Sequence, residues 1–307
     1  MNAIQKQPLV SIVCVTYNHE KYIEKAIQSF LAQETEFPYE ICIGEDNSTD
    51  KTREICRKYA EENPDKIRLF LRNREDVIYY NGRPTGRYNF LETLKASRGK
   101  YIALCEGDDF WNHHQKLQLQ VDFLEKNPDY SLAAHAIHVE QKDGSVQPKI
   151  MPPDFFDGNG DLLARQGNYI STLSAVFKRD AVIGRLDMLN GLPCADYPMW
   201  LACAQQGKLK YFPYLMGTYR NHGNGSWSSL DRLEELKCNA HLYERLCQEF
   251  SEDINGTLRN KACEFLTNLM NASFQMNKQE DAKEYYERIL KLDPPYLFQI
   301  MRYLMTA

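Results

Sequence analysis

Residues 9–16 (LVSIVCVT) form a short β-branched apolar run, the pattern of a buried strand. In residues 22–32 the apolar positions shift to helical spacing, at Tyr22, Ile23, Ala26, Ile27, Phe30 and Leu31, so a helix follows. Residues 39–43 repeat the strand signal, Asn47, Ser48, Thr49 and Asp50 supply turn and N-cap chemistry, and residues 52–62 continue as a second helix. A third strand at 67–71, a helix at 88–97 and an apolar strand at 101–105 (YIALC), between Gly99 and Gly107, extend the series. Strands alternating with helices in this way predict a parallel sheet covered by helices.

Beyond Asp109 the pattern changes. Residues 115–125 read as a helix, 130–140 as an extended segment, and 141–160 as a loop rich in Pro, Gly and Asp. Strands are expected at 174–177 and 210–215 with a helix at 197–206 between them, which makes the second half of the sheet mixed. After Trp227 the texture is helical throughout. Phe265, Leu266, Leu269, Met270 and Phe274 form one stripe, and Ala282, Tyr285, Tyr286, Ile289 and Leu290 form another ahead of Asp293-Pro294. The pair is similar to a single tetratricopeptide-like unit, too few copies for a repeat array. The expected organisation is a catalytic domain at residues 1–228 and a helical region at 229–307 that could mediate homo-oligomerisation.

Length and charge narrow the classes. A chain of 307 residues with 43% hydrophobic content can bury a full core. A net charge of -5 provides no basic field for phosphate neutralisation, so a nucleic-acid partner is disfavoured. Nine cysteines without a C-x-x-C pair are odd in number and fit reduced, mostly buried thiols. The first eight residues lack a charged-then-apolar signal pattern, and no apolar stretch reaches the roughly 20 residues of a membrane span, so a cytoplasmic location is expected. Residues 296–305, rich in Tyr, Leu, Phe, Ile and Met, could pack on the protein or touch the inner face of a membrane.

Ligands of open parallel sheets bind beyond the carboxyl ends of the strands. The first strand ends in Thr16-Tyr17-Asn18-His19, the second in Glu45-Asp46-Asn47-Ser48-Thr49-Asp50, and the fourth in Glu106-Gly107-Asp108-Asp109. Adjacent carboxylates repel unless a cation or proton lies between them. Glu106, Asp108 and Asp109 therefore point to a hard divalent ion, Mn²⁺ or Mg²⁺, completed by substrate phosphates; the plain alternative is a solvated acidic turn. Residues 45–50 are equally an Asx-turn and N-cap when taken alone. Paired with Tyr17, whose ring could stack on a base, the carboxylates there suggest a nucleobase pocket. No G-x-G-x-x-G follows the first strand, and no phosphate-loop lysine motif is present.

The segments VCVTYN (13–18), GEDNSTD (44–50), RGKYIALCEGDD (98–109) and the later Ala195-Asp196-Tyr197 together resemble the family 2 inverting glycosyltransferases of bacterial polysaccharide and lipopolysaccharide type, over residues 8–228. The resemblance implies an α/β GT-A fold, that of nucleotide-diphospho-sugar transferases, with a mostly parallel mixed sheet flanked by helices and an α-helical C-terminal region. It implies a UDP-sugar donor held by Thr16, Tyr17, Asn18, Glu45 and Asp46, and a metal at Asp108 and Asp109 with Glu106 where the family has Asp. Asp196 matches the general base, although Ala195 stands where the family has Glu. Tyr219-Arg220-Asn221-His222 and the glycine-rich residues up to Trp227 resemble the family's closing loop, with Arg220 on phosphate and His222 on metal or diphosphate. Arg87, ahead of a helix, is a further phosphate-binding candidate. The acceptor would be a glycan or lipid-linked glycan. The rivals are a sugar nucleotidyltransferase, a glycoside hydrolase with two carboxylates, and a non-catalytic scaffold acting through its helical tail.

Overall fold

The protein is described from a computed structural model, which covers residues 7–223, 230–250 and 252–296. Strand and helix alternate from the start: β1 Val10–Thr16, α1 Ile23–Leu31, β2 Tyr39–Glu45, α2 Thr52–Glu62 and β3 Ile67–Leu71. A small hairpin, β4 Tyr79–Tyr80 and β5 Arg83–Pro84, leads into α3 Arg87–Ala96 and β6 Tyr101–Leu104. Next come β7 Phe110–Trp111, α4 Lys116–Lys126, β8 Tyr130–Gln141, β9 Val146–Lys149, β10 Asp157–Gly158 and α5 Gly160–Gln166. The sheet region closes with β11 Val176–Lys178, α6 Asp180–Ile183, α7 Asp196–Gln206 and β12 Lys208–Asn221. Three helices follow: α8 Arg232–Glu249, α9 Glu252–Gln275 and α10 Gln279–Leu292.

The main sheet runs β10-β12-β8-β11-β6-β1-β2-β3, with β7 on β12 and β9 on β8. β1 pairs in parallel with β2 and β6, and β2 with β3. β11 is antiparallel to both β6 and β8, and β8 is parallel to β12. Two reversals cancel, so the carboxyl ends of β1, β2, β6 and β12 fall on one edge.

Two expectations need correction. Residues 141–160 are not a plain loop, because they contain β9 and β10. All four β9 residues are exposed and include Pro148, so the apolar alternation that signals a strand is missing. The last strand is also longer than residues 210–215, since β12 pairs with β8 from Lys208 through Asn221. Pro213 and register shifts between Phe212, Leu215 and Gly217 break its period, and its polar end looks like loop. Tyr219, Arg220 and Asn221 therefore belong to a strand rather than to a closing loop, and residues 224–227 lie outside the described residues.

Helices cover both faces of the sheet. One core gathers Ile12, Ile23, Ile27, Phe30, Ile41, Trp111 and Leu117. The other holds Phe177, Tyr197 and Trp200, and takes in Leu242, Tyr243, Leu246 and Phe250 near and on α8 with Ile254, Leu258 and Ala262 of α9. At about 1.5–3 kcal/mol for each large apolar side chain fully buried, this contact docks α8 and α9 firmly. A small separate core of Ala240, Cys263, Leu266, Leu269, Tyr285 and Ile289 ties α8, α9 and α10 together. The nine cysteines are free thiols, most of them buried. No helix among the described residues is long and apolar enough to cross a membrane, and the tail from 297 onward lies outside them.

One buried charge stands out. The Lys116 side chain, in the first turn of α4, is fully buried; its Nζ lies 4.0 Å from the Trp111 ring centroid and has no hydrogen-bond partner. Burial pulls its pKa from 10.5 down to about 7, against an opposing effect of Cys105. The unfolded chain keeps this proton up to about pH 10.5 whereas the folded chain releases it near 7, so the penalty on folding is full below about 7 and fades as pH rises. Lys116→Met is therefore expected to raise the urea midpoint, most at or below pH 7 and progressively less toward pH 10. A loss of stability, or a gain independent of pH, would contradict the buried amine as a cost.

Candidate active site

Thr16 ends β1 opposite Glu45 at the end of β2, and the pairing continues as the Asp46 N–H donates to the Thr16 carbonyl at 3.1 Å. Beyond it, Asn18 adopts a left-handed backbone with φ 55, which Asn tolerates because its short side chain bonds locally. Its N–H donates to Ser48 Oγ at 2.9 Å, and its Oδ1 accepts the Thr49 N–H at 2.8 Å. His19 N–H donates to Thr52 Oγ1 at 2.8 Å and Glu20 N–H to Asp50 Oδ2 at 3.0 Å. Much of the polar run at 45–50 thus stitches the β1 turn to the start of α2. Glu45 is fully buried, paired with Arg53 and bonded by the Ser48 N–H at 2.6 Å, so it braces the turn rather than facing a ligand.

Asp46 points elsewhere. Its Oδ2 accepts from Arg74 Nη1 at 2.9 Å, and the Arg74 guanidinium lies 4.1 Å from the centroid of the Tyr17 ring. Burial raises the Asp46 pKa, Arg74 opposes this, and the Glu45 charge adds to it. Tyr17 remains 39% exposed, so its ring is open to a flat partner. Tyr17, Asp46 and Arg74 make one polar and aromatic wall.

The acidic turn sits beside it. Gly107 N–H donates to the Val15 carbonyl at 3.0 Å, and a Cβ at Gly107 would stand 2.6 Å from Thr16 Oγ1, so only glycine lets this turn approach β1 so closely. Ligand oxygens of Glu106, Asp108 and Asp109 lie within 4.8 Å of one another. Glu106 is exposed at the turn, yet protein around its carboxyl, then the charges of Asp108 and Asp196, raise its pKa to about 8. Asp109 is pushed well up by burial and the Asp108 charge, while the Arg220 N–H bonds its Oδ1 at 2.8 Å. For Asp108, burial alone would raise the pKa. The His222 bond (3.0 Å) and the nearby His19 ring (3.7 Å), both to Oδ2, outweigh it and hold the group low. Its Oδ1 is buried without a hydrogen-bond partner. Crowded hard oxygens with one orphaned lone-pair donor fit a divalent cation.

Arg220 and His222 support this turn. Arg220 Nη1 donates to the Asp108 carbonyl at 2.7 Å, and its guanidinium lies 4.4 Å from the Phe110 ring and 5.2 Å from the Tyr22 ring. His222 stacks on Tyr22 with centroids 5.4 Å apart. The bond to Asp108 raises the His222 pKa.

Asp196 opens α7 as its first residue. Ala195 is the N-cap and makes no side-chain cap bond. Asp196 Oδ2 accepts from Asn168 Nδ2 at 2.6 Å. Its charge adds to the upward push on Glu106, so the two carboxylates stand near enough to feel each other. Arg87 lies elsewhere: its buried guanidinium donates to the carbonyls of Leu189 (3.1 Å), Leu192 (3.1 Å) and Cys194 (3.3 Å). It braces the segment ahead of Asp196, and the phosphate contact expected of it is not what its geometry provides. The cleft edge thus brings together Thr16, Tyr17, Asp46, Glu106, Asp108, Asp109, Asp196, Arg220 and His222, while Asn18, Glu45 and Arg87 act as braces. Sequence reasoning placed His19 at the polar end of the first strand without giving it a role, and it missed Arg74 and Asn168; Arg74, three residues past the end of β3, carried a positional hint.

Residues 11–184 match the family described as Glycosyl transferase family 2. An uncharacterized protein of Mycobacterium tuberculosis is 36% identical over 222 residues, which cover 72% of this chain and 61% of that protein. The chain thus spans less than two thirds of that relative's length. Among solved structures, Staphylococcus aureus TarS 1-349 in complex with UDP-GlcNAc aligns with a TM-score of 0.64 at 14% identity, covering 92% of this chain and 81% of that one. A mannosyltransferase from Pyrobaculum calidifontis, in complex with GDP-Man and Mn²⁺, aligns at 0.57 and 16%, covering 96% and 84%. These likenesses, with the curled mixed sheet, establish the expected GT-A fold with its helical C-terminal region.

The bracing role of Arg87 is testable. Arg87→Lys keeps the charge but loses the fork that serves three carbonyls, so unfolding free energy should fall by about 1–3 kcal/mol with nucleoside-diphosphate affinity unchanged. The reverse outcome, full stability with weakened nucleotide binding, would restore the phosphate role.

Proposed function

The chain belongs to glycosyl transferase family 2, and we propose that it transfers a sugar from a nucleoside-diphosphate sugar, UDP-linked in the first instance, to a hydroxyl of a glycan or glycolipid acceptor. One observation carries the reading: neighbouring strands β2, β1 and β6 deliver, side by side, an aromatic and acidic wall at Asp46 and Tyr17, the close turn at Thr16, and the carboxylate turn at 106–109, with Asp196 across the cleft. That sequence of chemistries suits a base, a diphosphate and an acceptor hydroxyl in turn.

Tyr17 stacks on the base and the Asp46 carboxylate accepts its N–H groups, with Arg74 fixing both side chains. Glu106, Asp108 and Asp109 would hold Mn²⁺ or Mg²⁺, which when bound offsets the charge of the departing diphosphate. UDP-GlcNAc in one structural neighbour, and GDP-Man with Mn²⁺ in the other, support this choice of ligands. Arg220 and His222 add positive charge at the same place, though both also hold the turn. Asp196 takes the proton of the attacking hydroxyl as it displaces the nucleoside diphosphate in one inverting step. With Ala195 ahead of it, Asp196 works without an adjacent carboxylate on its own turn.

The test is a panel of nucleotide sugars scored by released nucleoside diphosphate, with Mn²⁺ and with EDTA. Release of UDP that requires the metal is expected. Asp196→Asn should cut turnover by roughly 10²-fold or more while melting temperature and donor affinity hold. Asp108→Asn should weaken UDP binding measured with Mn²⁺, whereas equal UDP affinity in Mn²⁺ and EDTA would remove the metal from the reading. Release of pyrophosphate from a nucleoside triphosphate and a sugar phosphate would overturn transfer in favour of nucleotidyl chemistry.

A further inference from the structure

The Asp196 carboxylate is met by Asn168, two residues beyond the end of α5. Gly167 closes that helix with φ 75, a left-handed conformation suited to glycine, and its N–H bonds the Leu163 carbonyl at 2.9 Å. The chain then turns toward α7. Two buried bonds set the register between the segments: Tyr197 Oη donates to the Leu163 carbonyl at 3.2 Å, and Trp200 Nε1 to the Ile170 carbonyl at 3.3 Å. Tyr169 is buried between them, packed edge-on against Phe155 with centroids 4.8 Å apart. The third link is the bond from Asn168 Nδ2 to Asp196 Oδ2 at 2.6 Å, and it alone is exposed to the cleft.

We propose that Asn168 is the positioning residue for Asp196: its side-chain amide fixes the plane of the carboxylate and presents the other oxygen, Oδ1, to the acceptor hydroxyl. The inference rests on the reading of Asp196 as general base. A carboxylate left to itself rotates about its Cβ–Cγ bond, and a base delivers its rate only when its lone pair is aimed at the proton. An amide is suited to hold it, because it donates without carrying charge and does not titrate over the working range. The anchoring also comes from the right place. Tyr197 and Trp200 stand one and four residues after Asp196 on the same helix, so the buried bonds register Asn168 against the carboxylate whether or not the exposed bond is made. The exposed bond therefore adds aim rather than fold. Of the other groups near Asp196, Glu106 is like-charged, Arg87 is spent on three carbonyls and Lys149 Nζ is bonded to Ser171 Oγ at 3.3 Å; the Cys194 thiol also bonds the Asp196 side chain, as a weaker donor than the amide.

The experiment compares Asn168→Ala, Asn168→Gln, Asp196→Asn and the Asn168→Ala/Asp196→Asn pair in the full chain. Each is assayed with Mn²⁺ for nucleoside-diphosphate release from the sugar nucleotide chosen by the panel above, with kcat, donor KM and melting temperature read together. Asn168→Ala should lower kcat by about tenfold with donor KM and melting temperature unchanged. Asn168→Gln should recover part of the loss. In the Asp196→Asn background the alanine substitution should have no further effect, because there is no base left to aim. Unchanged kcat in Asn168→Ala, a change confined to KM, or the same fold loss in both backgrounds overturns the proposal while leaving Asp196 as the base. Normal turnover in Asp196→Asn overturns both.

Discussion

Three carboxyl groups held within 4.8 Å of each other are the constraint around which this edge of the molecule is arranged. At an effective dielectric constant of about 20, two unit charges some 5 Å apart repel by about 3 kcal/mol. Three such pairs, all ionised, would approach the whole stability of a domain, about 5–15 kcal/mol. The fold answers with protons and cations. Protein crowding and the Asp108 and Asp196 charges push Glu106 up to about 8, Asp109 is displaced upward likewise, and Asp108 is held low beside His222 and His19. A cation at the turn would thus compete with protons for the same oxygens.

Sheet topology makes that answer available. Arg220 and His222 are more than a hundred residues from Asp108 in the chain, and they arrive beside it because β11 reverses direction twice and returns β12 to the edge where β6 ends. Arg220 then acts through two different groups. Its backbone N–H serves the Asp109 carboxylate and its guanidinium serves the Asp108 carbonyl, so the strand end and the acidic turn hold each other in place. A closing loop was the natural reading of Tyr219-Arg220-Asn221-His222 because polar residues before glycine look like coil, yet β8 pairs with the segment through Gln141.

What the sequence revealed follows from the range of the interactions involved. Strand and helix alternation is a local periodic signal, and it located β1, α1, β2, α2, β3 and β6 along with the polar clusters at their ends. Local chemistry also identified Ser48 and Asp50 as turn chemistry, whereas Asn18, expected to hold the donor, is the residue that Ser48 and Thr49 stitch to. Side chains whose partners lie far away were misjudged. Arg87 looked like a phosphate ligand because its carbonyl partners come 102 to 107 residues later. Glu45 looked like part of the base pocket for a different reason: its partners Ser48 and Arg53 are near in the chain, but acidic residues at a strand end read as ligand-facing before the turn is folded. Asn168, in a stretch without motif or periodicity, gave no signal at all. Its significance exists only once α5 and α7 are packed.

The C-terminal helices belong to the same account. The segment from 189 to 195, which delivers Asp196, is irregular and needs support from outside itself. Arg87 of α3 holds three of its carbonyls, and His241 of α8 bonds a fourth, that of Gly191, at 3.0 Å. Tyr243, two residues further along α8 and in the buried core, faces Tyr197 with ring centroids 5.7 Å apart and stands within 3.5 Å of a Cβ at Gly167. α9 presses on the far end of α5, where Ile254 lies 3.2 Å from a Cβ at Gly160. The helices thus touch both sides of the Asn168–Asp196 contact, at the residue after the carboxylate and at the glycine before the amide. Their attachment to the sheet through Leu242, Leu246 and Leu258 does more than cover apolar surface. It sets how closely α5 and α7 approach, and with that the distance over which the amide and the carboxylate meet.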